Sequence, residues 1–346
     1  MNNKPLRVAF LGAGMIADYH RKGVEACADQ NVELAAIGHY NPAKFSDISN
    51  RHHLPCFDYA QIFADPEIDV VAICTPSGSH AAEAIAALNA GKHVLVEKPM
   101  ALNLVDADAM IEAAKRNGVV LAVALQRRTE TAYARAHQAI MAGDLGEMTQ
   151  AAITIPYVRT KAYYGQAAWR GTWAADGGGV LMNQGIHLVD QLVWNMGDPV
   201  EVKAHAATLR HAIEVEDTLS ASLRFANGAL GTITATTTAA PGFPHTLSFY
   251  GSNGGIQIEG DNIRYWTLAD ASKATIEPIQ PASTVAGAGA GGDPRGIAAT
   301  GHIAIWKDFI EAIRTGKQPM LDGAEGRRSL AAVLAVYEAA GITRQW

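Results

Sequence analysis

Long apolar runs are missing from this 346-residue chain. No stretch approaches the roughly 20 residues that a membrane-spanning helix needs, and residues 1–7 lack the apolar centre of a secretory leader. A cytoplasmic protein is therefore expected. Cysteine is scarce: Cys27, Cys56 and Cys74 are too few and too scattered for a disulfide framework, and they show no CxxC spacing for zinc. Cys74 lies within the apolar run Val70-Val71-Ala72-Ile73, where the sulfur suits a core position better than a nucleophile. No metal site is expected. An excess of positive charge is also absent, since a formal net charge of −6 leaves no basic footprint for nucleic acid. What remains is an ordinary globular composition, 49% hydrophobic and 18% charged, in a chain long enough for two domains.

The first 125 residues alternate strand and helix patterns. Apolar runs at 6–11, 32–37, 70–74, 93–97 and 119–125 read as buried strands, separated by helical patterns that follow the first run through Ala28 and span 43–50, 60–64, 80–90 and 104–117. This rhythm predicts a doubly wound, mainly parallel sheet with helices on both faces. One further helix, 131–142, precedes a change of period. Segments 148–158, 200–209, 218–225, 229–237, 245–250, 255–259 and 263–268 alternate polar and apolar residues, with hairpin signals at Asn227-Gly228 and Asn253-Gly254. The fold class is thus α/β plus α+β. An N-terminal domain (1–125) carries the parallel sheet, and a domain at 126–346 carries an open, mainly antiparallel sheet with helices on one face. Strand faces rich in Thr, Ser and Ala suit packing of a homodimer or homotetramer through that second sheet. The Ala-, Gly- and Ser-rich stretch 282–296 reads as a long loop, and helical patterns at 302–314 and 324–340 read as helices that pack back on the first domain.

Three motifs carry chemistry. Gly12-x-Gly14-x-x-Ala17 follows a strand and opens a helix: Gly12 suits the tight turn, Gly14 a close approach of backbone to a pyrophosphate, and the helix start, with Met15 and Ile16, free N–H groups. The second strand ends in Gly38-His39-Tyr40-Asn41-Pro42-Ala43-Lys44, with no carboxylate to grip the ribose of NAD. His39 or Lys44 could accept a 2′-phosphate, so the cofactor is NAD or NADP with a slight lean to NADP. Thr75 and Pro76 end the third strand beside the nicotinamide half, and His80 either contacts the cofactor or caps its helix. The second motif is Val96-Glu97-Lys98-Pro99-Met100, in which proline stops a buried strand and leaves Lys98 at its carboxyl end. The third is Asp176-Gly177-Gly178-Gly179 followed by Asn183, His187 and Asp190 at helical spacing on one polar face.

Together, in this order, these motifs resemble the family of glucose-fructose oxidoreductase, inositol dehydrogenase and the rhizopine-catabolism proteins (Gfo/Idh/MocA). The likeness covers nearly the whole chain and includes the C-terminal Gly316-Lys317-Gln318-Pro319 segment. It implies a Rossmann domain binding NAD or NADP, oxidation or reduction of a secondary alcohol on a sugar, sugar acid, cyclitol or nucleotide sugar, and Lys98 and His187 as the catalytic pair. It implies further that Glu97 and Lys98 lie at the cofactor and that the Lys98–Pro99 peptide is cis. Many family members carry aspartate where this chain has Asn183, and an amide can hold a substrate hydroxyl without ionising. The proton transfer then falls on His187. Arg127, Arg159, Lys161, Tyr163 and Arg170 are candidates for the substrate rim. Two other outcomes stay open at this point: a glycoside hydrolase or lyase that retains its NAD through transient oxidation, and a non-catalytic dinucleotide-binding regulator.

Overall fold

The computed structural model describes residues 4–270 and 298–342. The stretch 282–296, expected as a loop, lies outside them. The chain divides into two units, Met1–Gln126 with Ala299–Arg327, and Arg127–Ala298 with Arg328–Trp346.

The first unit contains β1 (Leu6–Leu11), α1 (Met15–Glu25), β2 (Val32–Gly38), α2 (Phe45–His52), β3 (Cys56–Phe57), α3 (Tyr59–Ala64), β4 (Val70–Ile73), α4 (His80–Asn89), β5 (His93–Val96), α5 (Leu104–Asn117) and β6 (Leu121–Val123). All sheet pairs are parallel, in the order β3-β2-β1-β4-β5-β6. This is the doubly wound order, and its direction reverses between β1 and β4, where the crevice at the carboxyl ends is a ligand site. Strands β1, β4 and β5 are almost solid Val, Ile, Leu and Ala because helices cover both faces. Helix boundaries follow local chemistry: Asn103 caps the amide of Asp106 to start α5, and Gly118 ends it at φ 64°. The short strand β3 had no sequence signal. It is two residues long and borrows its partner from β2.

The second unit holds α6 (Thr131–Met141), β7 (Met148–Pro156), α7 (Lys161–Tyr164), α8 (Ile186–Met196), β8 (Pro199–Ala207), β9 (Thr218–Phe225), β10 (Leu230–Thr236), β11 (Thr246–Gly251), β12 (Gly254–Glu259) and β13 (Asn262–Leu268). Its sheet runs β13-β12-β11-β7-β10-β9-β8. It is mixed, because β7 lies between two antiparallel meanders and pairs parallel with β10. Alternation along a strand reports its two faces but not the direction of its neighbour, so the pattern could not show this. In β9, Leu219, Ala221, Leu223 and Phe225 are buried, while Ser220, Ser222 and Arg224 face out. Helix α8 packs on β7 and on α6.

Helix α9 (Thr300–Thr315) belongs to the first unit and packs on α1. The last helix, α10 (Gly323–Ala339), supplies its residues up to Arg327 to the first unit and those from Arg328 onward to the second. Among the described residues no helix is long and apolar enough to cross a membrane.

Candidate active site

The glycine turn is built as a cradle. Gly12 has φ +97°, and a Cβ there would stand 2.7 Å from the carbonyl oxygen of Cys74. Only glycine lets β1 turn beside the end of β4. Gly14 is extended (φ −82°, ψ −174°) and forms the N-cap of α1 without a side-chain cap. A Cβ at Gly14 would meet nothing within 4 Å. The helix start therefore faces open space with its amides available, which fits the pyrophosphate of a dinucleotide. Met15 is 41% exposed beside it.

At the end of β2 the imidazole of His39 stacks on Tyr40, and its Nδ1 accepts from the amide of Asn41 at 3.1 Å. Lys44 is exposed in the 3₁₀ turn Pro42–Lys44. Arg51, on the last turn of α2, reaches across to donate to the carbonyl of Ala13 within the glycine turn. The crevice is thus flanked by imidazole, ammonium and guanidinium groups.

The end of β5 is tied by hydrogen bonds to α1 and α4. Glu97 is buried; its Oε1 is 3.0 Å from Nε2 of His20 and its Oε2 accepts from the Lys98 amide at 3.1 Å. Burial alone raises the pKa of such a carboxyl. Hydrogen bonding from the imidazoles beside it outweighs burial and holds Glu97 well below its ordinary value, as a carboxylate. The Lys98–Pro99 peptide is cis, as the resemblance implies. Lys98 is half-buried between buried neighbours. His80 corrects the expectation of a cofactor contact. It is 1% exposed, with Nδ1 2.8 Å from the carbonyl of Pro99 and Nε2 2.9 Å from that of Thr75, so it ties the β4 end to the lysine turn. Thr75 in turn bonds Glu83 through its hydroxyl. Glu97 likewise spends both oxygens within the protein.

In the second unit the glycine triplet is explained by crowding. A Cβ at Gly178 would lie 2.3 Å from the hydroxyl of Tyr337, and one at Gly179 would lie 1.7 Å from the carbonyl of Glu216. The Glu216 carboxylate accepts from the amides of Gly179 (2.8 Å) and Leu181 (3.0 Å) and from the Tyr337 hydroxyl (2.9 Å). Burial pushes its pKa up to about 7 against these three donors. The chain then forms a π-helical stretch, Val180–Gly185, before α8, where the spacing had predicted a plain α-helix. Such bulges cluster at functional sites.

Asn183 donates to Asp176, and its Oδ1 accepts from Nε2 of Gln184 at 3.1 Å. His187 stands half-buried on the first turn of α8. Arg159, Tyr163 and Arg170 gather together: Arg170 donates to the Tyr163 hydroxyl at 2.7 Å, and both guanidinium groups lie over the Tyr163 ring, at 5.3 and 4.3 Å. Gln184 Nε2 lies 3.5 Å from the same hydroxyl, which joins this group to Asn183. Among the described residues no carboxylate pairs with Arg170.

Two expected site residues are elsewhere. Arg127 is buried, and its Nη1 bonds Glu130, Tyr133 and Asp261, so it braces α6 against the β12–β13 turn rather than lining the rim. Asp190 is wholly buried against Arg128 and Ser329, not on a polar face with His187.

Residues 6–125 match the family described as the oxidoreductase family with an NAD-binding Rossmann fold, and residues 133–257 match the GFO/IDH/MocA C-terminal domain. The chain belongs to the Gfo/Idh/MocA family. It is an oxidoreductase with an NAD-binding Rossmann fold, similar to dehydrogenases that act on CH–OH groups of sugars and cyclitols. Myo-inositol 2-dehydrogenase of Thermotoga maritima is 26% identical over 94% of this chain and 93% of its own. The WlbA dehydrogenase from Bordetella pertussis, solved with NADH and UDP-GlcNAcA, superposes with a TM-score of 0.85 at 31% identity, covering 98% of this chain and 97% of that one. Levoglucosan dehydrogenase in complex with NADH and levoglucosan gives 0.83 at 25% identity, with 98% of each chain covered.

Within this Gfo/Idh/MocA member, sequence reasoning missed Glu216, Tyr337, Arg51, His20 and Trp306. Each acts on a partner distant in sequence, and single residues without periodicity leave no signal of that kind. Cys74 is a core residue as expected, buried, with its thiol pushed well up by desolvation.

Proposed function

We propose that this protein oxidises or reduces a secondary alcohol on a carbohydrate that carries a negative charge, a carboxylate or phosphate, with His187 and Lys98 acting on the reacting oxygen. The observation that carries the reading is that both proton-handling side chains are present, Lys98 at the carboxyl end of β5 and His187 on the first turn of α8, in a chain matched to the family in both halves.

Gly12, Gly14 and the start of α1 hold the dinucleotide, whose nicotinamide supplies or accepts the hydride. His187 takes the hydroxyl proton during oxidation and returns it during reduction, the exchange an imidazole serves near neutral pH. Lys98 donates a hydrogen bond to the same oxygen and stabilises the alkoxide as it develops. Asn183, held by Asp176 and Gln184, orients a neighbouring hydroxyl. Arg170 with Arg159 and Tyr163 receives the anionic group. Support for the charge lies in Arg170, a guanidinium stacked on Tyr163 and Trp169 with no acidic partner among the described residues. At the ribose end, His39 and Lys44 favour NADP slightly over NAD. The outward Ser, Thr and Arg face of β9 and β10 joins copies of the chain into a dimer or tetramer, which sedimentation at micromolar concentration would reveal.

The test is a panel of neutral and acidic pyranoses, cyclitols and nucleotide sugars with both cofactors, read at the nicotinamide band. A charged sugar should give the highest kcat/KM, and Arg170→Met should raise its KM at least about tenfold while sparing neutral analogues. Equal losses on charged and neutral sugars would remove the anion site from the account.

A further inference from the structure

Among α1, the end of β5 and α9, all within the first unit, lies a buried cluster of His20, Glu97 and His302 whose ligand-type atoms fall within 4.8 Å of one another. Two imidazoles and a carboxylate form a familiar metal-ligand set. Trp306 decides against that reading. Its indole Nε1 donates to Nδ1 of His20 at 3.0 Å, and an indole N–H can only donate. Nδ1 of His20 therefore holds the lone pair and Nε2 holds the proton, directed at Glu97 Oε1 3.0 Å away. A protonated nitrogen cannot ligate a metal. His20 is 1% exposed, and burial lowers its pKa, which keeps the ring singly protonated. His302 completes the surroundings, with Nε2 3.6 Å from Glu97 Oε1 and its ring against His20 and Tyr19.

We propose that Trp306 and His20 are positioning residues for Lys98, acting through Glu97 as a hydrogen-bond chain of fixed direction: indole N–H to Nδ1, Nε2–H to Oε1, and Oε2 from the amide of Lys98. The proposal rests on the reading of Lys98 as the group that stabilises the alkoxide. A lysine side chain has four rotatable bonds, so the precision of its ammonium depends on how firmly its main chain is held. Here both oxygens of a buried carboxylate are committed to that task, one on the Lys98 amide itself and one on a histidine whose tautomer is set from behind.

The direction of the chain makes it testable. Every group facing the carboxylate along this chain is a donor. In Glu97→Gln the new NH₂ must oppose either the His20 Nε2–H or the Lys98 N–H. His20 cannot invert to relieve this, because an Nδ1–H would then face the Trp306 N–H. Trp306→Phe removes that donor. In the double variant His20 can carry its proton on Nδ1, accept at Nε2 from the introduced side-chain NH₂ and leave the introduced amide oxygen to Lys98.

Steady-state kinetics and ¹⁵N-resolved imidazole spectra of wild type, E97Q, W306F and E97Q/W306F decide the matter. E97Q should lower kcat at least about tenfold with KM changed less than about threefold, and adding W306F should restore at least about fivefold of kcat. His20 should be the Nε2–H tautomer in wild type and the Nδ1–H tautomer in the double variant. If E97Q alone does not fold, the double variant should, and a double variant as unstable as the single overturns the chain. So do additive losses in kcat, an Nδ1–H tautomer in wild type, or a stoichiometric divalent metal in the purified protein. Absence of any hydride transfer in wild type would instead overturn the dehydrogenase reading, and the tautomer result would stand apart from it.

Discussion

The guanidinium of Arg128 grips the carboxylate of Asp190 from two sides, Nε at 2.9 Å from Oδ2 and Nη2 at 2.6 Å from Oδ1, with both side chains almost wholly buried. Three residues along the same helix stands His187, half-exposed. Asp190 thus serves the interior of the unit, while His187 is the residue proposed above to handle the substrate proton. Asp190→Ala strands a buried guanidinium and should cost about 3–5 kcal/mol in urea unfolding. His187→Ala should change stability by less than about 0.5 kcal/mol while removing turnover.

The glycine turn separates folding from binding in the same way. Gly12→Ala puts a Cβ 2.7 Å from Cys74 O at a φ of +97°, so it should destabilise the first unit by about 1–3 kcal/mol. Gly14→Ala meets nothing within 4 Å and should leave the melting temperature within about 2 °C. It should still weaken cofactor binding at least about tenfold, read by fluorescence titration, because the methyl occupies the space a pyrophosphate needs.

Glu216 gives the fold a pH dependence. Its ordinary value is 4.5 and its folded value about 7, raised first by burial. Folding therefore favours the protonated carboxyl. That contribution is fully present below 4.5 and is lost as pH rises through about 7. Urea midpoints should fall over that window, and Glu216→Gln should flatten the fall. A wild-type midpoint that rises there, with no change in the variant, would refute the assignment.

The proposed lean to NADP rests on the end of β2. Placing a carboxylate there with His39→Asp should lower the NADP-to-NAD ratio of kcat/KM at least about tenfold, since the new charge repels a 2′-phosphate and can hold ribose hydroxyls.

Much of this was legible in the sequence because it is periodic or steric. Continuous apolar strands, glycines at turns and the Lys98-Pro99 break each follow from one local requirement, and the parallel sheet, the strand end and the cradle appeared where those signals placed them. The parallel pairing of β7 with β10 left no trace, since alternation looks the same for either direction. The π-helical stretch before His187 was hidden for a related reason: it arises from Glu216 and Tyr337 pulling on the amides of 179–182, and neither residue is near in sequence. Arg127 and Asp190 misled because an arginine or aspartate reads identically whether it meets a substrate or a buried partner.

The central claim is that Lys98 and His187 handle one substrate oxygen during net hydride transfer. It is tested most directly by following nicotinamide absorbance during turnover by wild type, Lys98→Met and His187→Ala across pH. The account predicts a net change matching the alcohol oxidised and losses of about 10²–10⁴-fold in kcat/KM for each variant. Turnover without net absorbance change, or either variant within a few-fold of wild type, would contradict it.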